Sequence, residues 1–144
     1  MNSEASRGPI GDLSGSSVYN GALPLVGRVL MSTLFLISGV GKLTAPGATI
    51  GYITSAGLPF PQLGFAIAIF VEIGCSIALI AGYRTRWVAA IMAIFCVAAA
   101  LGFHHNFADL NQFIHFLKNI SMTGGFLQIA AFGAGRFGLD ARRR

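Results

Sequence analysis

Glu72 stands near the middle of an almost unbroken apolar run, residues 60–82 (FPQLGFAIAIFVEIGCSIALIAG). No other apolar run of the chain holds an acid. An ionised carboxylate at the centre of a bilayer costs roughly 2.5–3.5 kcal/mol. Glu72 must therefore meet a cation, hold a proton or face a polar cavity. Two cations stand in the preceding apolar run, residues 23–43: Arg28 and Lys42. On a helix, Ser32, Gly39 and Lys42 fall within about 40° of Arg28, so the four make one polar and small stripe. Such a stripe turns toward other helices rather than lipid. Arg28 and Lys42 are then about 21 Å apart along the axis. A guanidinium offers several donors to a carboxylate, so the expected pair is Arg28–Glu72, with Lys42 and Asn119 as further neighbours. Two kinds of chemistry fit: an internal ion pair that sets helix register, or a polar pocket for a small ligand such as a quinone head group or a proton relay.

A second group is His104, His105, Asp109 and His115. His105 and Asp109 are four residues apart, a spacing one helical turn brings together. Three histidines and a carboxylate are metal-ligand types, but the spacing follows no established motif. His105 and Asp109 are weak metal candidates, and no metal site is expected. His115 is instead placed with the pocket around Glu72. Cys75 and Cys96 both lie in apolar runs and form no CxxC; they read as small core residues. No catalytic residue is assigned, and stand-alone enzyme activity is not expected.

The elements that must position these residues follow from composition. Of 144 residues, 54% are hydrophobic and 10% charged, with a mean hydropathy of +0.70. Soluble domains carry about 25% charged residues, so the chain belongs in a membrane. The net charge of +5 flanks apolar runs rather than forming a stripe, which argues against nucleic acid. The expected fold is all-α, an integral membrane four-helix bundle. Residues 1–22, rich in Ser, Gly and Asn, form a disordered tail. Residues 23–137 form the four-span domain. Residues 138–144 form a basic tail.

The first span is 23–43, with Pro24 in its first turn. Pro and Gly in 44–61 exclude a long helix there and leave a short interfacial turn over 48–56. The second span carries Ala68, Glu72 and Ser76 on one narrow face. The third, 87–103, offers a small-residue seam of Ala89, Ala93, Cys96 and Ala100. Residues 104–117, polar and aromatic by turns, lie on the surface or fold back over the bundle mouth. The fourth span, 118–137, opens at Asn119. Its Ser121, Gly124, Gly125 and Gln128 form a helix-contact face, with Gln128 hydrogen-bonded across it. Arg84, Arg86 and Arg142–Arg144 fall on one side, so both termini are expected in the cytoplasm.

The pattern resembles the DoxX family of small bacterial membrane proteins. The segments that carry the resemblance are GRVLMSTLFLISGVGKL (27–43), VEIGCSIALIAGYRTR (71–86) and HFLKNISMTGGFLQIA (115–130). A basic residue opens the first span (Arg28) and a Ser-Gly-x-x-Lys closes it (Ser38 to Lys42). An acid follows in the second (Glu72), then an Asn and a Gly-Gly in the fourth (Asn119, Gly124, Gly125). The resemblance implies an inner-membrane, multi-pass protein similar to the small subunit of thiosulfate:quinone oxidoreductase. It implies an accessory or anchor subunit of a redox-related complex, quinone or sulfur and oxidative stress, with membrane lipid and membrane-protein partners and self-association as further expectations. The site residues expected are Arg28, Lys42, Glu72 and Asn119, which the family pattern also marks, and His115 from the histidine group. A small-molecule carrier and a structural scaffold without chemistry are the alternatives.

Overall fold

The computed structural model describes residues 18–143, all helical or loop with no strand among them. The disordered tail expected over 1–22 lies outside these residues except for Val18–Ala22, which forms a π-helical turn leading into α1. α1 runs Leu23–Thr44 and α2 Pro46–Ser55; α3 (Pro61–Ile69), a π-helical stretch (Phe70–Cys75) and α4 (Ser76–Ala81) follow one another as a continuous rod. α5 is Thr85–Phe103 and α6 Leu110–Phe132, and a 3₁₀ turn over Leu139–Arg143 closes the chain. Val18–Thr44, Pro61–Ala81 and Thr85–Phe103 are each long and apolar enough to cross a membrane.

The expected surface segment over 104–117 is not a separate element. Only 104–109 is irregular, and residues 110–117 are the first turns of α6. Asp109 explains this: its carboxylate accepts the N–H groups of Asn111 (2.8 Å) and Gln112 (3.3 Å) and so starts the helix early. α6 also stops at Phe132 rather than 137, where Gly133 turns at φ +82°.

The core joins α1, the π stretch, α4, α5 and α6 through Phe35, Val71, Cys75, Leu79, Met92 and Phe126, with Ala89, Ala93 and Cys96 as the small-residue seam of α5. Both cysteines are free and buried. α6 lays its length along α5, and Phe126 meets Phe35 edge-on at 5.3 Å. Of the contact face expected on α6, Gly125 lies against Met31 of α1, whereas Ser121, Gly124 and Gln128 are exposed. Phe126 is the buried residue of α6, and Gln128 makes no hydrogen bond among the described residues. Bulk decides here: with apolar lipid outside, association follows packing, and a phenyl ring fills more of the interface than a glycine pair. Leu30, Ile37, Phe70 and Ile94 point outward, as a lipid-facing shell requires.

The two ends of the molecule differ. At one end the start of α1, the α4–α5 turn and the segment after α6 are bound together. Arg136 N–H donates to Asn20 O (2.7 Å) and Asp140 N–H to Gly82 O (2.9 Å). Gly82, at φ +70°, ends α4, and a Cβ there would stand 2.5 Å from Gly138 Cα. α5 has no cap of its own, because Arg84 is left-handed (φ 43°). Asp140 supplies one from the far end of the chain, accepting Arg84 N–H and Thr85 N–H at 2.8 Å each. Asp140→Ala is expected to cost about 1 kcal/mol as a lost cap. Amide exchange should rise at Thr85, while the Asp109-capped start of α6 stays as it was. Unchanged exchange at Thr85 would contradict the capping role.

Candidate functional site

Glu72 lies inside the π-helical stretch Phe70–Cys75, where a turn holds more residues than an α-turn. Two adjacent pairs, Val71–Glu72 and Cys75–Ser76, are therefore buried together. Ala68, Glu72 and Ser76 share the inward face as expected, and Phe70 and Ile77 face out.

The cation on Glu72 is Lys42, not Arg28. Lys42 Nζ donates to Oε1 at 2.9 Å and Oε2 at 2.8 Å, and to Ser38 Oγ at 2.7 Å. All three ammonium hydrogens are thus used. The expected Arg28–Glu72 pair fails on height rather than on face. α1 and the α3–α4 rod run antiparallel, and Glu72 lies level with Gly39. Gly39 is eleven residues from Arg28, about 16 Å along the axis. Lys42 is less than one turn away.

Gly39 makes the apposition possible. A Cβ at this position would stand 2.7 Å from Ile73 Cγ1 and 3.0 Å from Glu72 Cβ. Gly39→Val is expected to push the helices apart and destabilise by about 1–3 kcal/mol, read as a lower melting temperature in detergent. Gly41→Val, with nothing within 4 Å, should melt like the parent. Equal effects of the two would refute the close-approach argument.

Arg28 serves the other end of the molecule. It is fully buried, and its Nη1 donates to Leu79 O (2.8 Å) and Ile80 O (2.9 Å), its Nη2 to Phe137 O. Leu79 and Ile80 carry the terminal carbonyls of α4, acceptors that a helix end leaves open. The positive group also sits at the negative end of the helix dipole. Arg28 therefore does not line the pocket for which it was expected.

Above Glu72 is a cavity of about 650 Å³ walled by α1, α2, α3, α5 and α6. Its walls are mostly apolar: Phe35, Ile53, Ile67, Phe95, Phe103 and Met122 among them. Its polar groups are few: Lys42, Glu72, Ser38, Thr49, Asn119, His104 and His115. Asn119 Nδ2 donates to His115 O one turn back (3.0 Å), and its Oδ1 accepts no hydrogen bond among the described residues. His104 stacks on His115 with ring centroids 5.0 Å apart, and His104 Nδ1 is 3.0 Å from Gln112 Oε1. Tyr52 of α2 stacks on Phe103 at 5.2 Å beside the mouth. Ser38 and Tyr52 join the cavity without having been singled out for it. The signal for Ser38 was present, because it precedes Lys42 by one turn. His104 is brought in by the early start of α6.

The metal candidates are not brought together. His105 is exposed, Asp109 is occupied with its cap, and no three of His, Cys, Asp and Glu converge among the described residues. The His105–Asp109 spacing presumed a helix that begins only at Leu110.

The geometry defines an all-helical membrane protein with a one-ended amphiphilic cavity over a lysine–glutamate pair. Residues 23–105, more than half of the chain, match the family model DoxX, and the chain belongs to the DoxX family. It is 37% identical over 116 residues to Inner membrane protein YqjF of Escherichia coli K12, covering 81% of this chain and 88% of that protein. It is 32% identical over 126 residues to Inner membrane protein YphA of the same organism, covering 83% and 89%. Together with its three apolar spans, this makes the chain a small multi-pass inner-membrane protein. No solved structure matches it significantly. Lys42 and Glu72 lie within the family match; Asn119 and His115 lie beyond it.

Proposed function

We propose that this protein is an accessory or anchor subunit of a redox-related membrane assembly and that its cavity receives a lipophilic molecule with a polar head, of quinone class. The observation that carries the reading is the cavity itself. Its volume lies within the roughly 300–1,000 Å³ usual for small-molecule sites, and it combines apolar walls with a few converging polar groups. A quinone head presents carbonyl oxygens, which need donors; the His104 and His115 rings and the second Nδ2 hydrogen of Asn119 are donor types on the cavity wall. The apolar walls suit a prenyl tail. A carrier would need the cavity to continue past Leu79, Met92 and Phe126, each without exposed surface, so a one-ended site is the better reading. In this proposal α6 is the fourth crossing, about 34 Å long at 1.5 Å per residue. Both termini are cytoplasmic, because Arg84, Arg86, Arg136 and Arg142 gather at their end.

The test is binding of a short-chain ubiquinone and a menaquinone analogue to purified protein in nanodiscs. Ala99 lines the cavity and takes no part in the ion pair. Ala99→Phe should abolish binding while leaving the melting temperature near that of the parent. Absence of binding by the parent for both quinone classes would remove the ligand assignment.

A further inference from the structure

At the opposite end lies a cleft of about 470 Å³ between the start of α5 and the segment that follows α6. Three arginines line it: Arg84, Arg86 and Arg136. None of the three guanidinium groups makes a hydrogen bond or an ion pair among the described residues. The acid in the cleft, Asp140, has both carboxylate oxygens taken by the N–H groups of Arg84 and Thr85. The cleft thus carries three cations against one committed carboxylate. Its geometry is built rather than accidental. Arg136 is held by its N–H on Asn20 O. Gly135 turns at φ +70°, where a Cβ would stand 2.6 Å from Asn20 O. Gly133, at φ +82°, brings the backbone under Arg86, whose Nε lies 3.4 Å from where a Cβ would be.

The rim is apolar and aromatic. Trp87 and Phe132 both line the cleft and are 72% and 77% exposed, too open for residues serving the core. Trp87 is two residues into a membrane-crossing helix, at the depth where indoles sit in the headgroup zone. Arginine guanidinium suits the oxygens of a phosphate in bidentate fashion. Unpaired guanidinium groups beside exposed aromatic rings at headgroup depth match one kind of molecule: a phosphate diester with acyl chains running along the lipid-facing surface.

We infer that this cleft is a specific site for an anionic glycerophospholipid, its phosphate between Arg84, Arg86 and Arg136 and its acyl chains against Trp87 and Phe132. The site is independent of the cavity over Glu72 and stands or falls apart from it.

Trp87 is the only tryptophan of the chain, so its fluorescence reports this cleft alone. The full chain in detergent micelles is titrated with phosphatidylglycerol or phosphatidylcholine carrying brominated acyl chains. Phosphatidylglycerol should quench Trp87 at lower mole fraction than phosphatidylcholine. Arg86→Gln and Arg136→Gln should each raise the mole fraction needed by about fivefold, and together they should erase the preference. Arg142→Gln, outside the cleft lining, should leave it unchanged. Glycerol 3-phosphate at millimolar concentration should not displace the lipid; displacement would mean a site for free phosphate esters and would overturn the lipid assignment. Equal quenching by the two lipids, or a preference that survives the double variant or falls equally with Arg142→Gln, would also overturn it.

Discussion

Lys42→Met is expected to destabilise the protein by roughly 2–4 kcal/mol. Breaking a buried ion pair by removing one partner costs about 3–5 kcal/mol, because the remaining charge is left without compensation. The lower range applies here, since the Lys42 side chain is 28% exposed to the cavity while Glu72 is 6% exposed. Glu72 would keep no cation within reach, as Arg28 is about 16 Å away along α1. Methionine preserves most of the lysine's length and apolar contact, so the loss is that of the charge and its three hydrogen bonds. The double variant Lys42→Met/Glu72→Gln removes the stranded charge as well. It should recover most of the loss, giving a coupling energy of about 1–3 kcal/mol in a double-mutant cycle. Melting of each variant in the same detergent measures this. Additive effects of the two substitutions would show that the pair is not coupled, contrary to the geometry.

Arg28→Met is expected to cost about 3–5 kcal/mol and to act at the other end. Hydrogen bonds to charged groups are worth about 1.5–3 kcal/mol each, and a buried acceptor left open adds its desolvation cost. Three carbonyls lose their donor here. Leu79 O retains the Gly82 N–H (3.1 Å), whereas among the described residues Phe137 O accepts from no other donor. The second consequence is spatial. Arg28 is the side chain that ties α1 to both the end of α4 and the segment after α6. Proteolysis and amide exchange over residues 133–141 should rise, while the Lys42–Glu72 pair and any ligand binding at the far cavity should persist in whatever fraction remains folded. Arg28→Lys should fall between, because one ammonium lacks the planar fork needed to reach three acceptors. Loss of cavity binding in folded Arg28→Met, with the segment after α6 still protected, would restore the pairing expected from sequence and refute the observed one.

The two substitutions separate what was legible from what was not. The inward faces were legible. Arg28, Ser32 and Gly39 are buried on α1, as their spacing requires, and Ala68, Glu72 and Ser76 on the next rod. Periodicity reports angle around a helix, and lipid makes that angle decisive, since a polar stripe has only the interior to face. Height along the axis is different. It depends on how two helices are offset, and that offset is set by Gly39 against Ile73 and by the α4–α5 turn pressed against Gly138. Arg28 and Lys42 were equivalent partners by face, and only the offset between the rods gave Glu72 to Lys42. The start of α6 was hidden for a related reason. Residues 110–117 look amphipathic on their own, and their helicity follows from a cap at Asp109 and from continuous packing on α5.

From the residues alone come the membrane setting, the helical character, the need of Glu72 for an internal partner and the family. These follow from local composition and from the cost of charge in hydrocarbon, which no tertiary arrangement can evade. Which cation answers Glu72, that α2 and the early turns of α6 close a cavity above it, and that the end of the chain returns to cap α5 were decided by the fold. The ion pair and the cap join residues 30 and 56 positions apart, the cavity residues further apart still, and separation in sequence carries no information about shared height.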